Sequence, residues 1–175
     1  YLFGDVEAPL VKSKAIDDRL GCAVMLLTMK KIAKGEIKPN VEIDFCFTVR
    51  EELGLSGAQV VAQKLCPDYA IVLETTAIAD IADVAPALRV ADVGKGGVIS
   101  LLDRSTIYDG NFVRFALDTA DKHQIPVQVK RFVSGGNDAG HIHKSGVGVR
   151  CLALSAPTRY LHAPMSLASL RDYEA

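Results

Sequence analysis

Hydrophobic residues recur along this chain in two rhythms. The helical rhythm runs through Leu20, Ala23, Val24 and Leu27 and fades near Gly35, with Met25, Leu26 and Met29 widening the apolar face. It returns at Ala58, Val61, Ala62 and Leu65, where Pro67 stops it, and again at Phe112, Phe115, Ala116, Thr119 and Ala120. Between these stretches the period drops to two. Val41, Ile43, Phe45 and Phe47 alternate with Glu42, Asp44, Cys46 and Thr48, which predicts a strand with two unlike faces. Residues 69–73 form a short continuous apolar run, the pattern of a buried central strand, and Glu74 terminates it. Strands are also predicted over 98–102, 127–133 and 147–154, with a sharp turn and a short helix over 134–145. Strands alternating with helices predict an α/β fold of three layers, a mostly parallel central sheet with helices on both faces.

The remaining stretches are irregular. Residues 1–13 are an extended lead-in broken by Gly4 and Pro9, and residues 75–90 are alanine-rich with weak periodicity, a loop over the site. Gly94-Lys95-Gly96-Gly97 matches neither nucleotide-binding spacing and is read as a set of tight turns.

A chain of 175 residues, 49% hydrophobic and 23% charged, suits one globular domain with a sizeable core. A net charge of −1 without a basic block points away from nucleic acid and anionic membranes, and no apolar run is long enough to span a bilayer. Cys22, Cys46, Cys66 and Cys151 are widely spaced in apolar surroundings, which predicts buried free thiols and a reducing cytoplasm.

Chemistry concentrates at strand and helix boundaries. Glu51 and Glu52 stand where a strand pattern gives way to a helix pattern, the usual place for a ligand crevice in an open α/β sheet. Asp17-Asp18 precede them, Glu74 follows, and His162 lies near the C-terminus. One aspartate of the first pair would cap the helix after it; a cap explains two poorly. A carboxylate ending a buried strand, as Glu74 does, needs a partner or a metal. Carboxylates with imidazole and no cysteine suit Zn²⁺, Co²⁺ or Mn²⁺, and two metals can share one bridging carboxylate.

Four motifs carry a resemblance: Lys14-Ala15-x-Asp17-Asp18-Arg19-x-Gly21, Glu51-Glu52-x-Gly54-x-x-Gly57-Ala58, Gly135-Gly136-x-Asp138-Ala139 and Arg159-Tyr160-x-His162-x-Pro164. Together they resemble the co-catalytic two-metal aminopeptidases, which include glutamyl aminopeptidases and tetrahedral dodecameric aminopeptidases; some relatives are named endoglucanases. The resemblance implies a zinc-exopeptidase-like fold, two divalent ions (Zn²⁺ or Co²⁺), peptide substrates and a homo-oligomer between dimer and dodecamer. It implies that Asp17 bridges the metals and is joined to Asp18 by a cis peptide. Glu52 and His162 would complete one metal site, and Glu74 would serve the other, where the family more often has aspartate. Glu51 would be the general base and acid, with Gly136 and Asn137 against the substrate.

One departure stands out. The family's second metal takes a histidine from an upstream His-x-Asp segment that residues 1–13 do not contain. The expectation is therefore a catalytic domain over 14–175 lacking its N-terminal segment, with 1–13 the remnant of an upstream or inserted domain, and weak or no activity in this piece alone. His141 and His143, after the Gly-Gly turn, are alternative ligands within reach of the cleft; His123 reads as a solvated surface residue. Two other functions compete: a glycoside hydrolase using Glu51 and Glu74 as paired carboxylates, which leaves Asp17 and His162 unused, and a non-catalytic metal-binding assembly module.

Overall fold

The computed structural model describes residues 1–174. Strands β1 (Leu2–Asp5) and β2 (Ala8–Ser13) form an antiparallel hairpin, followed by helix α1 (Ile16–Ala33) and helix α2 (Ser56–Leu65). Next come β3 (Tyr69–Ala77), β4 (Gly97–Ile99), α3 (Gly110–Lys122) and β5 (Val127–Val129). The chain closes with α4 (Ala139–Ile142), β6 (Arg150–Thr158), β7 (Ser166–Ser169) and α5 (Leu170–Glu174). β7 pairs antiparallel with β2, so the lead-in is part of a three-stranded sheet with the far end of the chain.

The main sheet has the order β3-β6-β4-β5. β3 runs parallel to β6, and β4 parallel to β5, but β4 meets β6 antiparallel. The α/β expectation holds, in a mixed sheet of two parallel pairs. Val72, Ile99 and Ala153 pack with Val113 of α3 and Ala139 of α4 in the main core. Leu73 and Leu154, next along their strands and so turned to the opposite face, line a cavity with Leu20 and Val24 of α1. Helices thus lie on both faces, as expected.

Several elements differ from the sequence pattern. Residues 41–48 join no ladder among the described residues, and Val41 and Phe47 are exposed. Alternation reports that a segment has two faces; a strand also needs a neighbour whose backbone is free to pair. β3 runs four residues beyond the predicted 69–73 and carries Glu74 inside it, because Thr75, Thr76 and Ala77 continue the ladder with β6. It is an edge strand, not a central one, with Tyr69 and Ile71 open to solvent. β5 is three residues long, and Phe132 and Val133 beyond it are exposed. Of the cysteines, all free, only Cys151 is buried.

The glycine run does make tight turns, and its amides have a protein partner. Gly94 and Gly96 donate to the two oxygens of Asp172 at 2.7 and 2.6 Å, so a buried carboxylate from α5 occupies the hollow of the loop.

Candidate metal centre

The site is assembled from four segments, each with its own local cause. At the head of α1, Asp17 and Asp18 have non-helical backbone (ψ 110° and 52°) and are joined by a cis peptide. Asp18 Oδ1 accepts the Gly21 amide at 3.0 Å, the contact an N-cap makes. Asp18 does the capping, and Asp17 is left for other work.

The second segment is the Glu51-Glu52 turn. Arg50 and Leu55, both in the left-handed region at φ 62° and 60°, bracket it. Gly54 and Leu55 donate back to the Glu51 carbonyl at 3.1 and 3.0 Å. The head of α2 then presses on the turn: the Gly57 amide donates to the Val49 carbonyl at 3.1 Å, and a Cβ on Gly57 would fall on that carbonyl. Gly57→Ala is expected to lower stability by ~1–3 kcal/mol, the usual cost of forcing atoms into a packed contact. Urea denaturation measures it.

Glu74 comes from the third segment, fixed by the β3–β6 ladder opposite Ser155, with Oε1 accepting the Thr75 amide at 2.9 Å. His162 comes from the fourth, an arch over 160–165 between β6 and β7.

These segments converge. His162 Nε2 lies 3.2 Å from Asp17 Oδ2 and 3.4 Å from Glu52 Oε1. Asp17, Glu52 and His162 each offer one ligand atom within 4.8 Å of the others, and Asp17, Asp18 and Glu74 form a second such group. Asp17 belongs to both. Glu51 stands in neither group but feels Glu52, Asp138, Asp17 and His162.

The charge balance of this basin is unfavourable by itself. Burial, and then the nearby Glu52, Asp138 and Asp17, push the Glu51 carboxyl up to about 7. Burial, with Asp17, Glu51 and Asp138 adding to it, pushes Asp18 up to about 7 against the pull of the Gly21 amide. Glu74 is raised further, mainly by burial, with Asp18, Asp17 and Glu51 adding to it. Buried carboxyls crowded until they hold protons, with an imidazole beside them, are a donor set that suits a divalent cation.

Other predicted residues are placed elsewhere. Asn137 is buried; its Nδ2 donates to Tyr108 Oη at 2.9 Å and its Oδ1 accepts the Ala139 amide at 2.9 Å. Its side chain therefore shapes the turn from inside. Gly136 passes close to Ser105, where a Cβ would crowd its hydroxyl. Neither His141 nor His143 joins a ligand group; His143 Nδ1 faces the Ala139 carbonyl at 2.6 Å.

Some of the contacts and roles at the site gave no signal in the sequence. Asp18 joins Glu74 as a possible ligand atom besides capping. Thr48 donates to Asp138, tying the Glu51 segment to the Gly-Gly turn across 90 residues. Asp103 collects Tyr108 Oη and the Ser105 and Thr106 amides beneath the same turn. The Thr48–Asp138 contact, 90 residues apart, leaves no local spacing to read.

The family model of the M42 glutamyl aminopeptidases matches residues 3–175. The chain belongs to that family. It is similar to the glutamyl aminopeptidase of Lactococcus lactis, 30% identical over 162 residues, covering 92% of this chain and 43% of that protein. Its fold is similar to the TET aminopeptidase of the marine sediment archaeon Thaumarchaeota archaeon SCGC AB-539-E09, with a TM-score of 0.91 and 32% identity over 99% of this chain and 48% of that one. It is also similar to the Pyrococcus horikoshii TET1 peptidase, described as assembling into a tetrahedron or a large octahedral shell. There the TM-score is 0.80 and the identity 30%, over 99% of this chain and 49% of that one. The chain spans about half the length of the curated relatives it matches. No described helix is long and apolar enough to cross a membrane.

Proposed function

We propose that this M42 chain carries most of the hydrolytic centre of a metal-dependent aminopeptidase that removes N-terminal residues from peptides. The observation that carries the reading is the pair of ligand groups sharing Asp17, with Glu51 beside them and outside both. Asp17, Glu52 and His162 would hold one divalent ion; Asp17 and Glu74, with Asp18 close by, would hold the other. Zn²⁺ and Co²⁺ suit these donors. When bound, such ions polarise a carbonyl and make water nucleophilic near neutral pH. Glu51 takes the proton of the attacking water and returns it to the leaving amine. The turn at Gly135 and Gly136 supports the substrate with backbone; Asn137 holds that turn in shape.

The domain assignment belongs to the same proposal: 14–175 as the catalytic part, 1–13 as the join to a preceding or inserted domain, and a further histidine from outside these residues for the second ion. Assembly of the whole protein into a homo-oligomer in the cytoplasm is part of it as well.

Removal of metal tests the reading. Dialysis against a chelator is expected to abolish release of nitroaniline from aminoacyl-p-nitroanilides by the full natural chain, and Zn²⁺ or Co²⁺ to restore it. Hydrolysis of carboxymethylcellulose, unaffected by chelator, would instead support the paired-carboxylate glycosidase.

A further inference from the structure

The arch that carries His162 is poorly supported around its own side chain. The imidazole is 64% exposed, so packing does not place it. Tyr160 and His162 both adopt left-handed backbone, at φ 59° and 63°, which non-glycine residues hold only where their surroundings enforce it. What enforces it lies at the base of the arch. The Arg159 amide donates to the Leu167 carbonyl at 2.9 Å, and the Leu167 amide donates back to the Arg159 carbonyl at 3.1 Å. The Ser166 hydroxyl and the Ala163 amide both donate to the Tyr160 carbonyl, at 3.1 and 3.0 Å.

The Arg159 side chain then reaches a partner 79 residues away. Its Nε and an Nη donate to the two oxygens of Asp80 at 2.6 and 3.0 Å. Asp80 is buried and also accepts the Val93 amide at 2.9 Å. Arg159 directly follows the last paired residues of β3 and β6, Ala77 and Thr158, and Asp80 comes three residues beyond Ala77. A planar guanidinium held by two bonds resists rotation in a way that a single-point ammonium does not. Glu74, by contrast, lies inside the ladder and needs no such clamp.

We infer that the Asp80–Arg159 pair is a positioning clamp for His162, setting the affinity of the Asp17–Glu52–His162 group for its metal while leaving the Asp17–Glu74 group unaffected. The inference rests on the metal reading of the site given above. Partners that orient a metal ligand typically contribute ~10–100-fold in affinity.

The test is calorimetric titration of the metal-free full chain with zinc chloride, for the native protein and the variants Asp80→Asn, Arg159→Lys and His162→Ala. Asp80→Asn is expected to weaken one zinc site ~10–100-fold and leave the other unchanged. Arg159→Lys keeps the charge without the fork and is expected to lose less at the same site. His162→Ala should weaken that site most. Should Asp80→Asn and Arg159→Lys leave both sites unchanged, or weaken the two together as general loosening would, the clamp is wrong. Should His162→Ala leave zinc binding untouched, the metal reading itself fails and the clamp with it. If Asp80→Asn does not fold, the Arg159→Lys titration decides by the same criteria.

Discussion

Replacing Glu51 by glutamine is expected to cut peptide hydrolysis by ~10²–10⁴-fold while metal content is unchanged, because a positioned general base contributes about that much. Glutamine matches glutamate in shape, so the turn set by Arg50, Gly54 and Leu55 should persist, along with the bonds from Gly54 and Leu55 to the residue-51 carbonyl. What is lost is the capacity to hold a proton between its arrival from water and its delivery to the amine. In the metal-free site the Glu51 carboxyl is lifted to about 7 by burial first and by Glu52, Asp138 and Asp17 after it. Metal content by atomic absorption, together with kcat, checks the expectation. Loss of metal together with hydrolysis would make Glu51 a ligand and exchange its role with Glu52, and hydrolysis preserved would overturn its role as general base.

The second large effect is on stability. In the metal-free chain Asp18, Glu51 and Glu74 all bind protons more tightly when folded than at their ordinary values of 3.8, 4.5 and 4.5. The folded state therefore holds more protons than the unfolded one from about pH 4 upward. Stability is then full below the unfolded values and is lost as pH rises through the folded ones. For Asp18 and Glu51 that window closes above about 7; for Glu74 it extends higher. Glu51 is partly open to solvent, which screens its share. Asp18 and Glu74 are deeper and carry most of the effect. A divalent cation takes the place of those protons. The urea midpoint of the chelator-treated protein is thus expected to fall between pH 5 and pH 8. With Zn²⁺ present the fall should flatten or reverse. Equal pH profiles with and without metal would mean that the carboxylates do not share a cation.

Local features of the site were legible in the sequence. Asp17, Glu51, Glu52 and His162 lie in short motifs whose neighbours, such as Gly21, Gly54 and Gly57, have steric reasons to be there: a Cβ at Gly21 would strike Asp18, and one at Gly57 would strike Val49. The helices were legible because an apolar stripe reports directly on the face a helix buries. Pairing was less so. Residues 41–48 have the period of a strand without a ladder, and β4 joins β6 antiparallel although each is parallel to its other neighbour. Which neighbour a strand finds depends on chain connections outside the strand itself. Asp80 was illegible for a similar reason. It is one acidic residue in an alanine-rich loop, and its meaning comes from Arg159, 79 residues away. Asn137 sits in a recognisable motif, yet whether it faced the cleft or the interior was decided by Tyr108, 29 residues earlier.

Asp17 is the single residue common to both ligand groups. On the proposed assignment this makes the site genetically asymmetric. A change at Glu74 or His162 would impair one ion and leave a partial phenotype that a second mutation could aggravate. A change at Asp17 would remove a ligand from both ions at once, so any further lesion in the basin would add little. Variants at Asp17 should therefore mask those at Glu74 and His162, and gradual drift in metal preference has room at the two outer positions but not at the shared one.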